Sequence, residues 1–247
     1  MLDKLGTKMT DNKKTIRILA LSLFSLGLLA GMFLAGAGAW SDLEATFYGF
    51  GKMADHSLTT LHCPVLMTAT ETGVIRADLA NHSNKTVQAK TRIYISSLPI
   101  RTVETITPIA SGETKELTWT VTSEDVALGN LILAKVLVYP YGDAPLREGW
   151  CGTLVLKVPL LNGSQVFGIL LALSLVGLLG GIGLWVMGGS PLKGRTLTAI
   201  RAMICLTAFI LVDMVFSFLG LWLYGLVLFV VVVVLILGVL TSVALAS

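Results

Sequence analysis

The residues best suited to chemistry in this chain are its three cysteines, its three histidines and one acid set in an apolar run. Cys151, between Trp150 and Gly152, has three readings: a nucleophile, a metal ligand, or half of a disulfide. A nucleophilic thiol needs a neighbouring base, and none can be assigned to it. A metal site would draw on His56, His62 and Cys63, but that spacing fits no zinc signature. A blue-copper centre needs two His and a Cys, usually with Met, and no His follows Cys151. The Cys-x-x-Cys redox pair is also missing. No metal or cofactor is therefore expected. The disulfide reading depends on where the thiols sit, which the surrounding elements decide.

Hydrophobic residues make up 54% of the 247 and charged residues only 13%, about half the charge of an ordinary soluble domain. The apolar residues fall into four runs, 18–39, 166–187, 197–219 and 221–246, interrupted only by Arg201 and Asp213. Each is close to or above the roughly 20 residues that cross a bilayer as a helix. Residues 41–164 have soluble composition. The expectation is a multi-pass membrane protein with four transmembrane helices and one soluble domain inserted between the first and second.

Lys and Arg near helix ends set orientation. The tail at 1–17 carries Lys4, Lys8, Lys13, Lys14 and Arg17, and the loop at 188–196 carries Lys193 and Arg195, with Arg201 just beyond. Both belong on the cytoplasmic side, where these basic residues can meet anionic headgroups. This puts both termini inside and residues 41–164 outside a plasma membrane. The last two helices form a hairpin turning near 219–224. The first run reads as a retained anchor, longer than a signal-peptide core. Cleavage after Ala39, following the small residues AGAGA, is the alternative.

Within 61–158 the hydrophobic period is two. Val87, Ala89, Thr91, Ile93 and Ile95 share one face, opposite Gln88, Lys90, Arg92 and Tyr94. Ile75, Ala77 and Leu79 repeat the pattern, as do Leu117, Trp119 and Val121. HCPVLMT, RTVETIT, NLILAKVLVYP and CGTLVLKVP complete about seven short strands, separated by turn signals such as NHSNK, SGE and YPYGDAP. That number of strands over about a hundred residues predicts an all-β, immunoglobulin-like sandwich, with a barrel as the alternative closure.

The stretches ADLANHSNKTVQAKTRIYISS and TITPIASGETKELTWTV resemble the immunoglobulin-like, adhesion-related domains of bacterial and archaeal surfaces. The likeness covers roughly 77–121. It lies in an Asn-led turn before one alternating strand and a Gly-Glu turn before another. It implies a binding or structural sandwich with no catalytic residues. The four-helix layout with a β-rich first outer loop is also similar to claudin-like proteins. Their outer-loop Gly-Leu-Trp and paired cysteines have no counterpart, because GLW occurs here only at 220–222.

Placed outside, Cys63 and Cys151 lie where thiols pair. Cys63 falls on the first strand and Cys151 at the start of the last, strands that commonly lie side by side. A bridge would tie both feet of the inserted domain, adding about 4–5 kcal/mol in the chain-entropy account. Cys205 lies in the third apolar run and reads as a small filler.

Asp213, the one acid in a membrane run, is a functional residue by default. The other runs offer no relay of such groups, so the expectation is a structural hydrogen bond to Ser217 or Tyr224, or a subunit contact. Gly27, Gly31, Gly177 and Gly181 are small-residue positions that let the first and second helices approach closely. Asn81, Asn84 and Asn162 head Asn-x-Ser/Thr sequons and are candidate glycan acceptors, with turn building as the plain reading. The juxtamembrane linker at 40–60 carries Trp40, Phe47, Tyr48 and Phe50, and Ser41 and Glu44 suggest a capped interfacial helix.

These features favour a non-enzymatic surface protein that presents a disulfide-stapled sandwich for interaction or assembly. Phosphate loops, HExxH and GxSxG are missing, and ten Lys/Arg against twelve Asp/Glu in the outer stretch give no basic patch for nucleic acid. The expected partners are the lipid bilayer and a membrane or surface protein. The alternatives are an accessory subunit of a transporter or electron-transfer complex, and a membrane redox or metal-binding protein.

Overall fold

A computed structural model describes residues 2–48, 50–188 and 194–244. The chain divides into two compact units, residues 37–167 and the remainder.

The helical unit draws on four helices: α1 (Leu2–Phe47), α2 (Gly163–Gly188), α3 (Arg195–Phe218) and α4 (Trp222–Ala244). Three stretches within them, Thr15–Phe47, Gly163–Gly188 and Thr196–Phe218, are long and apolar enough to cross a membrane. α4 adds a shorter apolar stretch, Trp222–Gly238. The α3–α4 turn closes through Gly220, whose φ of 70° suits a residue without Cβ. Gly220 N–H donates to the Ser217 carbonyl and Leu221 N–H to that of Phe216, a Schellman ending.

The other unit holds, among the described residues, nine strands in two sheets. β1 (His56–Ser57), β2 (Leu61–His62) and β3 (Leu66–Thr68) are short. β4 (Gly73–Ala80), β5 (Val87–Ile95), β6 (Arg101–Ile109), β7 (Thr114–Val121), β8 (Leu131–Val138) and β9 (Arg147–Leu156) are long. One sheet runs β1–β9–β8–β5–β6 with β3 also on β9, and the other runs β2–β4–β7. Their facing residues form one core, including Ile75, Leu79, Ile93, Trp119, Val121, Ile132 and Val136. The alternating faces read from β4, β5 and β7 are the buried faces observed.

The first strand differs from expectation. It is split, because the chain pairs in parallel with β9 at His56–Ser57, crosses to the other sheet at Leu61–His62, and returns to β9 at Leu66–Thr68. Pro64 lies in the return, where its missing N–H leaves no ladder bond to lose.

β8 also departs from simple alternation, because all eight of its residues are buried. Its inner face lines the core. Its outer face is covered by the last turns of α1 and the segment after it, where Ala45 and Phe50 pack on Leu131 and Leu133 beside Tyr48, Tyr94, Trp150 and Leu154. The expected separate capped helix is thus the unbroken end of α1. Ser41 makes no cap; its hydroxyl donates to the Ala37 carbonyl one turn back at 2.7 Å.

Candidate functional site

The covered face of the larger sheet holds two fully buried charged side chains. The strand register aligns Trp150, Lys135, Tyr94 and Thr102 in one cross-strand row, and Glu148, Leu137, Arg92 and Glu104 in the next. Lys135 and Glu148 are 0% and 1% exposed and form an ion pair at 2.8 Å. The Lys135 ammonium also donates to the Gly51 carbonyl and lies 5.4 Å from the Trp150 ring centre. Glu148 Oε2 accepts the Met53 N–H at 2.9 Å. Both charges therefore hold the segment that follows α1 against the sheet. A buried pair gains little net stability over apolar residues, but it demands that both partners be present.

A second latch lies along β9. β1 pairs with Arg147 and Glu148, and β3 pairs from Leu154 onward. That leaves part of the β9 edge without a strand. There the Gly152 N–H donates to Asp42 Oδ1 of α1 at 2.9 Å. A Cβ on Gly152 would overlap the Ser41 carbonyl, so close seating of the helix requires glycine.

The same gap takes the disulfide. Cys63 and Cys151 are bonded, with Cα atoms 5.8 Å apart at a sequence separation of 88. Their placement corrects the expectation. Cys63 lies in the crossing between β2 and β3, and Cys151 lies inside β9 rather than at its start. The bridge fastens the point where the split strand changes sheets to the strand that leads out to α2. Cys151 is buried in the core and Cys63 packs partly against it. Among the described residues, no three His, Cys, Asp or Glu side chains group as metal ligands.

The other half of this sheet face is open. Glu104 pairs with Lys90 at 3.1 Å and with Arg92. These hydrogen bonds, that from Lys90 first, hold its carboxyl below the ordinary glutamate range. Lys90 and Arg92 both lie over the Tyr139 ring, at 5.1 and 5.6 Å from its centre. Arg92 also donates to the Tyr94 hydroxyl at 3.1 Å. Ile106 stands 63% exposed in the row beyond.

The sequon asparagines separate. Asn81 is buried, and its amide donates to the carbonyls of Lys85, Ile109 and Ala110 while its oxygen accepts from Ser83. An amide so engaged cannot accept a glycan in the folded chain, so Asn81 builds the turn. Asn84 and Asn162 are exposed. The Asn162 N–H donates to Gln165 at 3.0 Å, and the Gly163 N–H donates to the Glu71 carboxylate, placing an acid at the start of α2.

In the helical unit the small residues meet. A Cβ on Gly27 would fall 2.6 Å from Leu178 N, and one on Gly177 would fall 2.6 Å from the Gly27 Cα. Gly181 abuts Ala20 and Phe24, and Gly31 abuts Ser174 and Ile210. Asp213 is fully buried on a stripe of α3 with Met203, Thr207, Ile210, Met214 and Ser217. The expected bond to Ser217 or Tyr224 is not made. Neither Asp213 oxygen nor the Ser217 hydroxyl has a hydrogen-bond partner among the described residues, and Tyr224 instead stacks near Phe216, centres 5.9 Å apart. Cys205 lies exposed on α3. Lys193 lies outside the described residues.

Lys135, Glu148, Asp42 and Gly152 were not singled out from sequence. The available signal was Lys135 itself, which shares its strand face with Leu131, Leu133 and Leu137. A lysine among leucines marks a covered face, and a covered lysine needs an acid. No protein-family model and no curated protein matches this chain.

Proposed function

We propose that this protein is a non-enzymatic, membrane-anchored module that presents an immunoglobulin-like sandwich to a protein partner. Four membrane helices carry it in the plasma membrane, with both termini cytoplasmic and residues 41–164 outside. The strand order supports the sandwich: β2–β4–β7 and β9–β8–β5–β6 follow the A–B–E and G–F–C–C′ pattern of such domains. The covered half of the larger sheet is closed by its own chain, which leaves the β5–β6 half free.

The observation that carries the partner reading is the open patch of Arg92, Tyr139, Lys90, Glu104 and Ile106. Arg and Tyr concentrate binding energy at interfaces, and here a carboxylate orders both cations without covering them. The test is a photo-crosslinking residue at Ile106, exposed in intact cells. A discrete adduct that disappears in Arg92→Glu supports the reading. Absence of an adduct there, with equal labelling at Gly112 of the far loop, refutes it.

One observation favours the accessory-subunit reading as a second choice. Asp213 and Ser217 carry polar atoms without partners in an apolar stripe, and a donor on a partner helix would satisfy them. Under that reading a multi-subunit complex co-purifies in mild detergent and is lost in Asp213→Leu.

A further inference from the structure

The loops at one end of the sandwich differ from those at the other. β9 runs out toward α2, and its last residues pair with β3 and lie beside the start of β8. The loops 69–72, 96–100, 122–130 and 157–162 therefore gather at the end from which α2 leaves. Their contacts bear this out: Ala69 N–H donates to Leu156, Val155 N–H to Asn130, and the Ser96 hydroxyl to Asp125. Arg101 pairs with Asp125 through two bonds, of 3.0 and 2.7 Å.

Four large apolar side chains stand in solvent in these loops: Leu98 at 80% exposure, Ile100, Leu128 and Leu160 at 99%. Leu160 also holds a φ of 70°, a conformation that costs any residue with a Cβ. At the far end the loops 81–86, 110–113 and 139–146 expose His82, Asn84, Lys85, Ser111, Glu113 and Asp143 instead. Among the described residues, none of the exposed large apolar side chains falls in those loops.

The chain itself identifies what meets the apolar end. Residues 157–162 span at most about 20 Å fully extended, and the first residue of α2 is already fixed to Glu71 in the loop after β3. The apolar run of α2 starts at Val166. This short tether limits how far the α2-end loops can stand from a bilayer that α2 enters. The only exposed charges in these loops are Glu124 and Lys157 among the described residues, one of each sign, which suits headgroup depth without a demand for anionic lipid.

We infer that Leu98, Ile100, Leu128 and Leu160 form a lipid-inserting tip that seats the sandwich in the headgroup–acyl boundary of its own membrane. This rests on the helices crossing a bilayer and is independent of the protein partner. The tip buries apolar surface that would otherwise face water.

The test uses the full chain with Cys205→Ser, reconstituted in phosphatidylcholine nanodiscs with the native disulfide intact. A single thiol at position 98, 128, 160 or 111 (Leu98→Cys, Leu128→Cys, Leu160→Cys, Ser111→Cys) carries an environment-sensitive fluorophore. The expected result is blue-shifted emission at 98, 128 and 160, with severalfold stronger quenching by 5-doxyl lipid than at 111, where aqueous iodide quenches instead. Iodide quenching at 98 and 128 equal to that at 111 overturns the inference. Protection at 98 and 128 from both quenchers also overturns it, since a protein or a second copy would then cover the tip. Lipid quenching at 160 alone overturns it too, since only the linker would touch the bilayer. Retained disulfide and circular dichroism exclude misfolding as the source of any of these results.

Discussion

One face of one sheet carries two groups of paired charges in contrasting settings. Under the end of α1, Lys135 and Glu148 are sealed from water. Two strands away, Glu104 pairs with Lys90 and Arg92 in the open, with side chains 30–42% exposed. The residue types are the same and the strand spacing is the same. What differs is the cover. Water stabilises an exposed charge whether or not its partner is present, so such pairs add only about 0–1 kcal/mol. A sealed charge has no such fallback, and losing its partner costs about 3–5 kcal/mol. The covered pair thus acts as a lock on the segment at Gly51 and Met53, while the open pair only orders a surface.

The comparison breaks most readily at Glu148. Glu148→Ala leaves the Lys135 ammonium buried against one carbonyl and is expected to destabilise the β-sheet unit by about 3–5 kcal/mol in urea unfolding. The double variant Lys135→Met/Glu148→Leu should regain most of that loss. A single-variant cost below about 1 kcal/mol would mean that the cover opens and the two pairs are alike.

Gly152→Ala tests the cover rather than the charges. A methyl against the Ser41 carbonyl should cost about 1–3 kcal/mol as overpacking, with amide exchange rising in 37–47 and remaining slow in β4 and β7. Unchanged exchange in 37–47 would show that the helix end does not depend on the close approach at Gly152.

The open pair gives the smallest and most pH-dependent effect. Glu104 has a folded pKa below its unfolded value. Its contribution is therefore complete above the unfolded value, about 4.3, and is lost as pH falls through the folded one. The Tm difference between wild type and Glu104→Gln should be small at pH 7 and vanish in acid. A difference that persists at low pH would assign it to packing instead.

The parts of this fold legible in sequence were those governed by period. Alternation at Ile75–Leu79, Val87–Ile95 and Leu117–Val121 reports one buried face per strand, and the structure buries those faces. The Cys63–Cys151 pairing was legible because only two of the three thiols lie outside the apolar runs. What period could not convey was a second layer. β8 is buried on both faces because a helix from outside the sheet covers it, and no window on β8 contains that helix. The end of α1 was equally hidden: Ser41 and Glu44 resemble a helix start, yet nothing in SDLEATF breaks a helix already running. Asn81 shows the opposite limit. Its sequon is a three-residue pattern, whereas its burial depends on carbonyls at Ile109 and Ala110, far along the chain.

The split first strand has a consequence for biosynthesis. Two of its three pieces, β1 and β3, pair with β9, the last strand to be made, so that edge of the larger sheet cannot form until residue 156 has left the ribosome. With a sequence separation of 88 between the two cysteines and elongation near 5–20 residues per second, Cys63 emerges about 4–18 s ahead of its mate. During that interval its thiol stands unguarded, and whatever escorts the nascent polypeptide must keep that sulfur from a foreign bond.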